Sequence, residues 1–308
     1  MPLPRRIKRY RDRYALVDGI PYQMPIYARN SPALMAGFSC DYAKADALLP
    51  GNELHAMRLP NGRAVLMITV INYVDTSIGK YIEYSIGIAC THGRKPAPPM
   101  LPAMMMKTYG TGQYLLDLPV SSEVSVKGGK GIWGMPKHQA SLDFKVTDQM
   151  VSSQYEKDGQ FAFRIEIDRP TSPSFKISVG TTNYCRYRNM LMASYIYFDS
   201  KVGINLFGKA NARLYIGDHP NVSFMRDLDI NPDPFFTMFM PKANGVLDDH
   251  FQCWFMTYDQ PPAEMPEGLE TVVDLGLSEE WLPAPACTDY EQFRIGRREQ
   301  SEREMVNA

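Results

Sequence analysis

The chain has 308 residues, 44% of them hydrophobic and 22% charged, which is ordinary for a globular protein with a sizeable core. Lys and Arg number 33 against 34 Asp and Glu, a formal net charge of −1, so no global field draws the chain to nucleic acid or to an acidic membrane. No apolar run approaches the roughly 18 residues of a membrane span, and neither nucleic acid nor a membrane is an expected partner.

The length allows one large domain or two ordinary ones. Five cysteines, Cys40, Cys90, Cys185, Cys253 and Cys287, are scattered with no CxxC pair, which argues against a disulfide framework or a structural zinc site. A reducing, cytoplasmic location is expected. The basic N-terminus has no apolar stretch behind it, so no secretory signal is expected.

Along the chain, residues 1–14 carry Arg5, Arg6, Lys8, Arg9, Arg11 and Arg13 against Asp12 alone. We read them as a solvated or docked terminal segment, because the rest of the chain is not basic. Cys40 to Leu49 is a candidate helix, with Asp41 near its start and Pro50 just past its end. Arg63 to Tyr73 and Tyr81 to Ala89 read as strands, the first apolar and β-branched, the second alternating. Pro96 to Pro102 is a loop, and Gly112 to Pro119 is ambiguous. Ala140 to Val146, Val151 to Glu156 and Gln160 to Ile167 alternate, and Asp158 with Gly159 marks a hairpin turn. Ser174 to Val179, Ala212 to Gly217 and Phe251 to Tyr258 add further strands. Pro261 to Pro266 is a loop that ends the core, and Arg294 to Ala308 is a polar helix or tail. Many short strands with few helical periods imply a mainly β, α+β fold: an antiparallel sheet closed into a barrel, with a few short helices.

Gly129, Gly131 and Gly134 match GxGxxG in form, but Pro136 and an alternating segment follow where a helix is required, so we reject a nucleotide site. These glycines are expected to turn the backbone tightly and let it approach other groups closely. The histidines His55, His92, His138, His219 and His250 form no HxH or HxxxH pair. Asp248, Asp249 and His250 are the nearest to a metal set, and no metal is expected. Among the methionines, Met104, Met105 and Met106 are candidates to line an adaptable apolar pocket.

Two residues stand out. Lys137 follows Pro136 in an apolar and aromatic run with Trp133 and Met135, an odd home for an ammonium. Kept from water, a lysine amine can lose its proton and attack a ketone to form a Schiff base. Making a neutral amine abundant at pH 7 asks for about 4–5.5 kcal/mol of preference for it. Glu83 lies in an alternating strand, where Tyr81, Glu83 and Ser85 share one face and Ile82, Tyr84 and Ile86 the other. It points either to water or into a barrel, where it would suit proton transfer.

Asp75, Thr76 and Ser77, then Gly79 to Glu83 with Tyr81 and Glu83, then Gly131 to Lys137 resemble, in order and rough separation, the acetoacetate decarboxylase family. Fainter similarity runs from about residue 24 to about residue 258 and includes Leu48, Leu49 and Pro50. The resemblance implies a cone-like antiparallel β-barrel enclosing a Schiff-base lysine, matched by Lys137, and an active-site glutamate, matched by Glu83. Acetoacetate decarboxylase is itself a known example of an activated lysine.

Departures bear on the substrate. His138 stands where the family's decarboxylases carry a second lysine, which leaves desolvation, with a contribution from His138, to free the amine. Thr69 falls near a second glutamate, and Arg29 is the candidate counterpart of an active-site arginine.

The expected organisation is a basic extension over 1–22, a barrel domain over 23–260 and a C-terminal extension over 261–308. The expected function is a carbon–carbon lyase that decarboxylates a 3-oxo acid through a lysine iminium and enamine. Lys137 and Glu83 would be catalytic, with Tyr81, Trp133, Met135, His138 and Arg29 around the substrate. A Schiff-base aldolase or dehydratase on 2-oxo acids is the alternative, and a non-catalytic ligand-binding barrel the third. The chemistry needs no metal or organic cofactor. Expected partners are a small oxo acid and further copies of the chain in a homo-oligomer.

Overall fold

The computed structural model describes residues 12–170, 175–187 and 190–260. The expectations for the basic residues up to Arg11, for Ser174, for Pro261 to Pro266, for the extension 261–308 with Cys287, and for the side chains of Asp249, His250 and Phe251 fall outside the described residues.

The chain opens with a hairpin of β1 (Arg13–Val17) and β2 (Ile20–Met24). Then come β3 (Ile26–Cys40), β4 (Leu54–Ala56), β5 (Ala64–Tyr73), β6 (Asp75–Thr76), β7 (Tyr81–His92) and β8 (Gly112–Val120). The helix Glu123–Trp133 leads into β9 (Lys137–Gln139). After it come β10 (Ser141–Leu142), β11 (Lys145–Val146), β12 (Met150–Lys157), β13 (Gln160–Asp168), β14 (Phe175–Tyr187), β15 (Met190–Leu206), β16 (Ala212–Ile216) and β17 (Phe236–Phe255).

One sheet runs β4-β7-β5-β3-β17-β15-β14-β8-β9, with β6 added on β3, and a further pairing of β7 with β8 brings it back on itself. The ring β7-β5-β3-β17-β15-β14-β8 is a closed barrel, joined between β14 and β8 at Asn183 opposite Gln113 and Tyr184 opposite Tyr114. Its pairings are antiparallel except between β14 and β8. β9 joins β8 in parallel, with Lys137 opposite Leu118. A parallel neighbour needs a crossover, and the helix Glu123–Trp133 supplies it.

A smaller sheet, β10-β12-β13-β16 with β11 on β12, packs against one wall of the barrel. Its central hairpin turns at Asp158 and Gly159, whose φ values of 53° and 76° fit the tight turn read from that pair. Alternation divides each wall strand into two faces. Leu66, Ile68 and Val70 of β5 and Tyr84, Ile86 and Ile88 of β7 pack with Phe163 and Ile165 of β13 in the main core. Each fully buried side chain of this kind contributes about 1.5–3 kcal/mol. The opposite faces of β5 and β7 look into the barrel.

Tyr42–Asp46 is the one helical stretch within the candidate helix, and Asp41 caps it by accepting from the Lys44 N–H at 2.8 Å. The segment Gly112 to Pro119 is a strand. A register shift against β7 between Ile86 and Gly87 breaks its alternation. Near the N-terminus, the hairpin that runs from the segment read as an extension, 1–22, into the barrel domain buries Tyr22 and Met24, and Tyr22 donates to the Val124 carbonyl at 3.1 Å. Among the described residues no helix is long and apolar enough to cross a membrane.

Buried phenols and thiols give the fold an alkaline limit. Burial, reinforced by Glu83, holds Tyr73 and Tyr81 well above the ordinary phenol value of 10.0. Burial likewise raises Tyr84, and it pushes the Cys40 and Cys185 thiols up to about 12. These groups keep their protons in the fold but lose them in the unfolded chain near their ordinary values. The stability they support is therefore present below about pH 8.5–10 and falls above it, by about 1.4 kcal/mol per pH unit for each group. Denaturant midpoints are expected to drop steeply between about pH 9 and pH 11; a flat midpoint across that range would contradict this reading.

Candidate active site

Lys137 heads β9 with its side chain inside the barrel and only 4% exposed. Its Nζ donates to Glu83 Oε2 at 2.6 Å and to Ser125 Oγ at 3.0 Å. Glu83 comes from the inward face of β7, one of the two placements left open by its sequence context, and is 14% exposed. Tyr73 donates through its hydroxyl to Glu83 Oε1 at 3.4 Å. The Tyr81 ring centre lies 5.6 Å from the lysine nitrogen and 4.6 Å from the ring centre of Tyr73. With both phenols raised by burial and Glu83, they remain donors beside the carboxylate. Desolvating two charges is expensive and contributes little net stability, so an ion pair inside a cavity points to chemistry rather than to folding.

The helix Glu123–Trp133 shapes the lysine's path. Ser125 and Gly129 are four residues apart and share one helix face. The Lys137 stem crosses that face at Gly129, where an added Cβ would overlap Cδ and stand 2.7 Å from Cε. The aliphatic chain thus lies in a trough that only glycine leaves open, and its nitrogen reaches Ser125 one turn back. Gly128 receives the Tyr22 ring in the same way, at 2.7 Å from an added Cβ. Gly134 ends the helix in the left-handed conformation, with φ 63°, and sends the chain into β9.

The chamber in front of Lys137 has a volume of about 230 Å³. Its walls are mainly apolar, with Ile71, Leu115, Leu118, Phe198 and Leu247, and four methionines, Met35, Met67, Met106 and Met135. Thr69 sits directly across the β5–β7 pairing from Ser85, and both face the cavity. Gln113 Nε2 donates to Ser85 Oγ at 3.1 Å and to Asn183 Oδ1 at 2.9 Å.

The structure brings Lys137, Glu83, Tyr81 and Met135 to one cavity. Three other residues named from the sequence lie elsewhere. Trp133 is buried beside the site rather than lining it, and its Nε1–H donates to the Asp248 carbonyl at 3.1 Å. His138 neighbours Lys137 on a strand and so faces the opposite way. Its Nε2 lies 2.7 Å from Asp117 Oδ1, 2.9 Å from Asn221 Nδ2 and 3.4 Å from the Tyr155 hydroxyl. Arg29 alternates with the inward Ala28, is 69% exposed, and stands 4.0 Å from Asp75. Of the three consecutive methionines, Met106 lines the chamber, whereas Met104 and Met105 are exposed.

Ser125 and Tyr73 were not singled out from the sequence, and Gly129 was named only as a glycine expected to let the backbone approach other groups closely, as it does at the Lys137 stem. The spacing of Ser125 and Gly129 would have signalled their shared face once the segment was known to be helical. Among the described residues no group of three or more His, Cys, Asp or Glu is placed to hold a metal ion.

The family model for acetoacetate decarboxylase matches residues 11–183. No curated protein sequence matches the chain. Several solved structures share the fold. An acetoacetate decarboxylase from Legionella pneumophila is 15% identical with a TM-score of 0.53, covering 74% of this chain and 89% of that one. A structure from structural studies of acetoacetate decarboxylase is 13% identical with a TM-score of 0.56, covering 78% and 92%. The enduracididine biosynthesis enzyme MppR complexed with pyruvate is 12% identical with a TM-score of 0.54, covering 77% and 92%. The profile match spans more than half of the sequence and agrees with the barrel, and the chain belongs to the acetoacetate decarboxylase family.

Proposed function

We propose that the protein is a lyase that decarboxylates a 3-oxo acid through a Schiff base on Lys137. The observation that carries this reading is the buried lysine nitrogen 2.6 Å from Glu83 at the wall of a mainly apolar chamber. In this reading Glu83 Oε2, 2.6 Å from Nζ, takes a proton from the ammonium and frees the lone pair. The amine then attacks the ketone carbon, and loss of water leaves an iminium. The bond to the carboxylate breaks, its electron pair moves to the iminium nitrogen, and carbon dioxide departs. Glu83, having given its first proton to the departing water, takes another from solvent and delivers it to the enamine carbon, and addition of water to the iminium so formed releases the ketone and restores the amine.

A relative of the same fold is complexed with pyruvate, a 2-oxo acid. One feature favours 3-oxo acids here. Among the described residues that line the chamber, Lys137 is the sole cation. A carboxylate that survives the reaction would have no fixed counter-charge once the lysine nitrogen is bound to carbon, whereas a 3-oxo acid sheds its carboxylate.

Borohydride reduction in the presence of a ketone tests the reading. A stable adduct is expected on the peptide bearing Lys137 and is expected to vanish in Lys137→Arg, because guanidinium stays protonated. Labelling that persists in that variant, or none with any 2- or 3-oxo acid or ketone, would reject the nucleophile and leave a ligand-binding barrel. Glu83→Gln is expected to slow carbon dioxide release by about 10²–10⁴-fold while the adduct stays detectable; a wild-type rate would remove Glu83 from proton transfer. In Gly129→Ala the added methyl group fills the lysine trough, and turnover is expected to fall about 10²-fold through misplacement of the nitrogen. An unchanged rate would show that the stem's path does not matter.

A further inference from the structure

The chamber has two chemically different ends. At one, Lys137, Glu83 and Tyr73 form the reacting cluster. At the other, Ser85, Gln113 and Asn183 come together from β7, β8 and β14 and carry no charge. Their internal hydrogen bonds leave capacity unused. Gln113 spends its amide hydrogens on Ser85 and Asn183, while the Ser85 hydroxyl hydrogen and the Asn183 Nδ2 have no partner among the described residues. Thr69 stands directly across from Ser85. A polar cluster turned into an apolar cavity costs free energy unless something there completes its hydrogen bonds.

Size and spacing indicate what that is. An apolar cavity of about 150 Å³ admits benzene. In proportion, 230 Å³ takes about nine non-hydrogen atoms, more than an acetone-sized product needs and as many as a seven-carbon hydroxy ketone has once the carboxylate has left. Glu83 and Ser85 are two residues apart on the inward face of β7, so about 7 Å of strand separates the two ends, the reach of roughly six bonds of extended chain.

We propose that the substrate is a longer 3-oxo acid whose chain carries an uncharged hydrogen-bonding group, a hydroxyl or an amide, about six bonds from the ketone carbon. Ser85, Gln113 and Asn183 bind that group, and the methionine-rich walls hold the chain between. This assignment rests on the Schiff-base reading of Lys137.

The test is a concentration series of borohydride trapping with 7-hydroxyheptan-2-one, octan-2-one and 7-oxooctanoate, with butanone as the short probe. The hydroxy ketone is expected to half-saturate labelling at about three- to tenfold lower concentration than octan-2-one, and the carboxylate probe at the highest. Gln113→Leu is expected to erase the preference for the hydroxy ketone over octan-2-one. Equal labelling by the two in the wild-type protein would overturn the proposal. So would a preference that survives in Gln113→Leu, or tightest binding by the carboxylate probe. The wild-type comparison decides the matter even if the variant fails to fold. Labelling by butanone without the hydroxyl preference overturns this assignment alone. No labelling by any probe overturns the Schiff-base reading and this assignment with it.

Discussion

The contact between Lys137 and Glu83 is the interaction on which the rest of the site depends. It joins β9 to β7 across 54 residues of sequence, at 2.6 Å and almost out of solvent. Neither group would be cheap to bury alone. Together, with Ser125 and Tyr73 completing their hydrogen bonds, they form one hydrogen-bonded unit at the chamber wall, and the proposed chemistry needs one proton to move a short distance within it. The same pairing explains the surroundings. The chamber walls are mainly apolar, and raised phenol values keep Tyr73 and Tyr81 as neutral donors beside the carboxylate.

Holding that contact takes a particular architecture. Barrel closure through β7 and β8 fixes where Glu83 stands, and the parallel addition of β9 to β8 fixes where Lys137 stands. The crossover helix does more than connect them. Its glycine face is a trough for the lysine stem, and its first turn offers Ser125 to the nitrogen. The N-terminal hairpin then clamps the helix from outside, through Tyr22 on Gly128 and an ion pair between Lys127 and Asp18 at 3.1 Å. On the far side of β8 and β9, His138 and Asp117 form a separate polar cluster. The residue next to Lys137 therefore faces away from the chamber.

The readable parts of the sequence were those where one local rule holds throughout. In β7 strict alternation put Tyr81, Glu83 and Ser85 on one face and Tyr84 and Ile86 on the other, as observed. Asp158 with Gly159 specified its hairpin because few other pairs tolerate two positive φ angles in succession. The glycine-rich helix was not legible, since each glycine costs about 1 kcal/mol of helix propensity. It forms because Tyr22, the Lys137 stem and Val17 need the space that side chains would fill. The long strands β3 and β15 and all of β17 before Phe251 were missed because register shifts bend them and interrupt their periodicity. Arg29 was named as the counterpart of an arginine in the family it resembles, but strand alternation turns it out of the barrel. That Lys137 and Glu83 meet came from the family resemblance, because local pattern carries no distance between residues so far apart.

Oxygen exchange tests the central claim most directly. A Schiff base expels the substrate's ketone oxygen as water, and hydrolysis of the enamine-derived imine puts a solvent oxygen in its place. With a decarboxylated 3-oxo acid in heavy-oxygen water, the account predicts that the released ketone carries the solvent label in every turnover, well above the exchange seen without protein. A ketone that keeps the oxygen it entered with would contradict covalent bonding through Lys137.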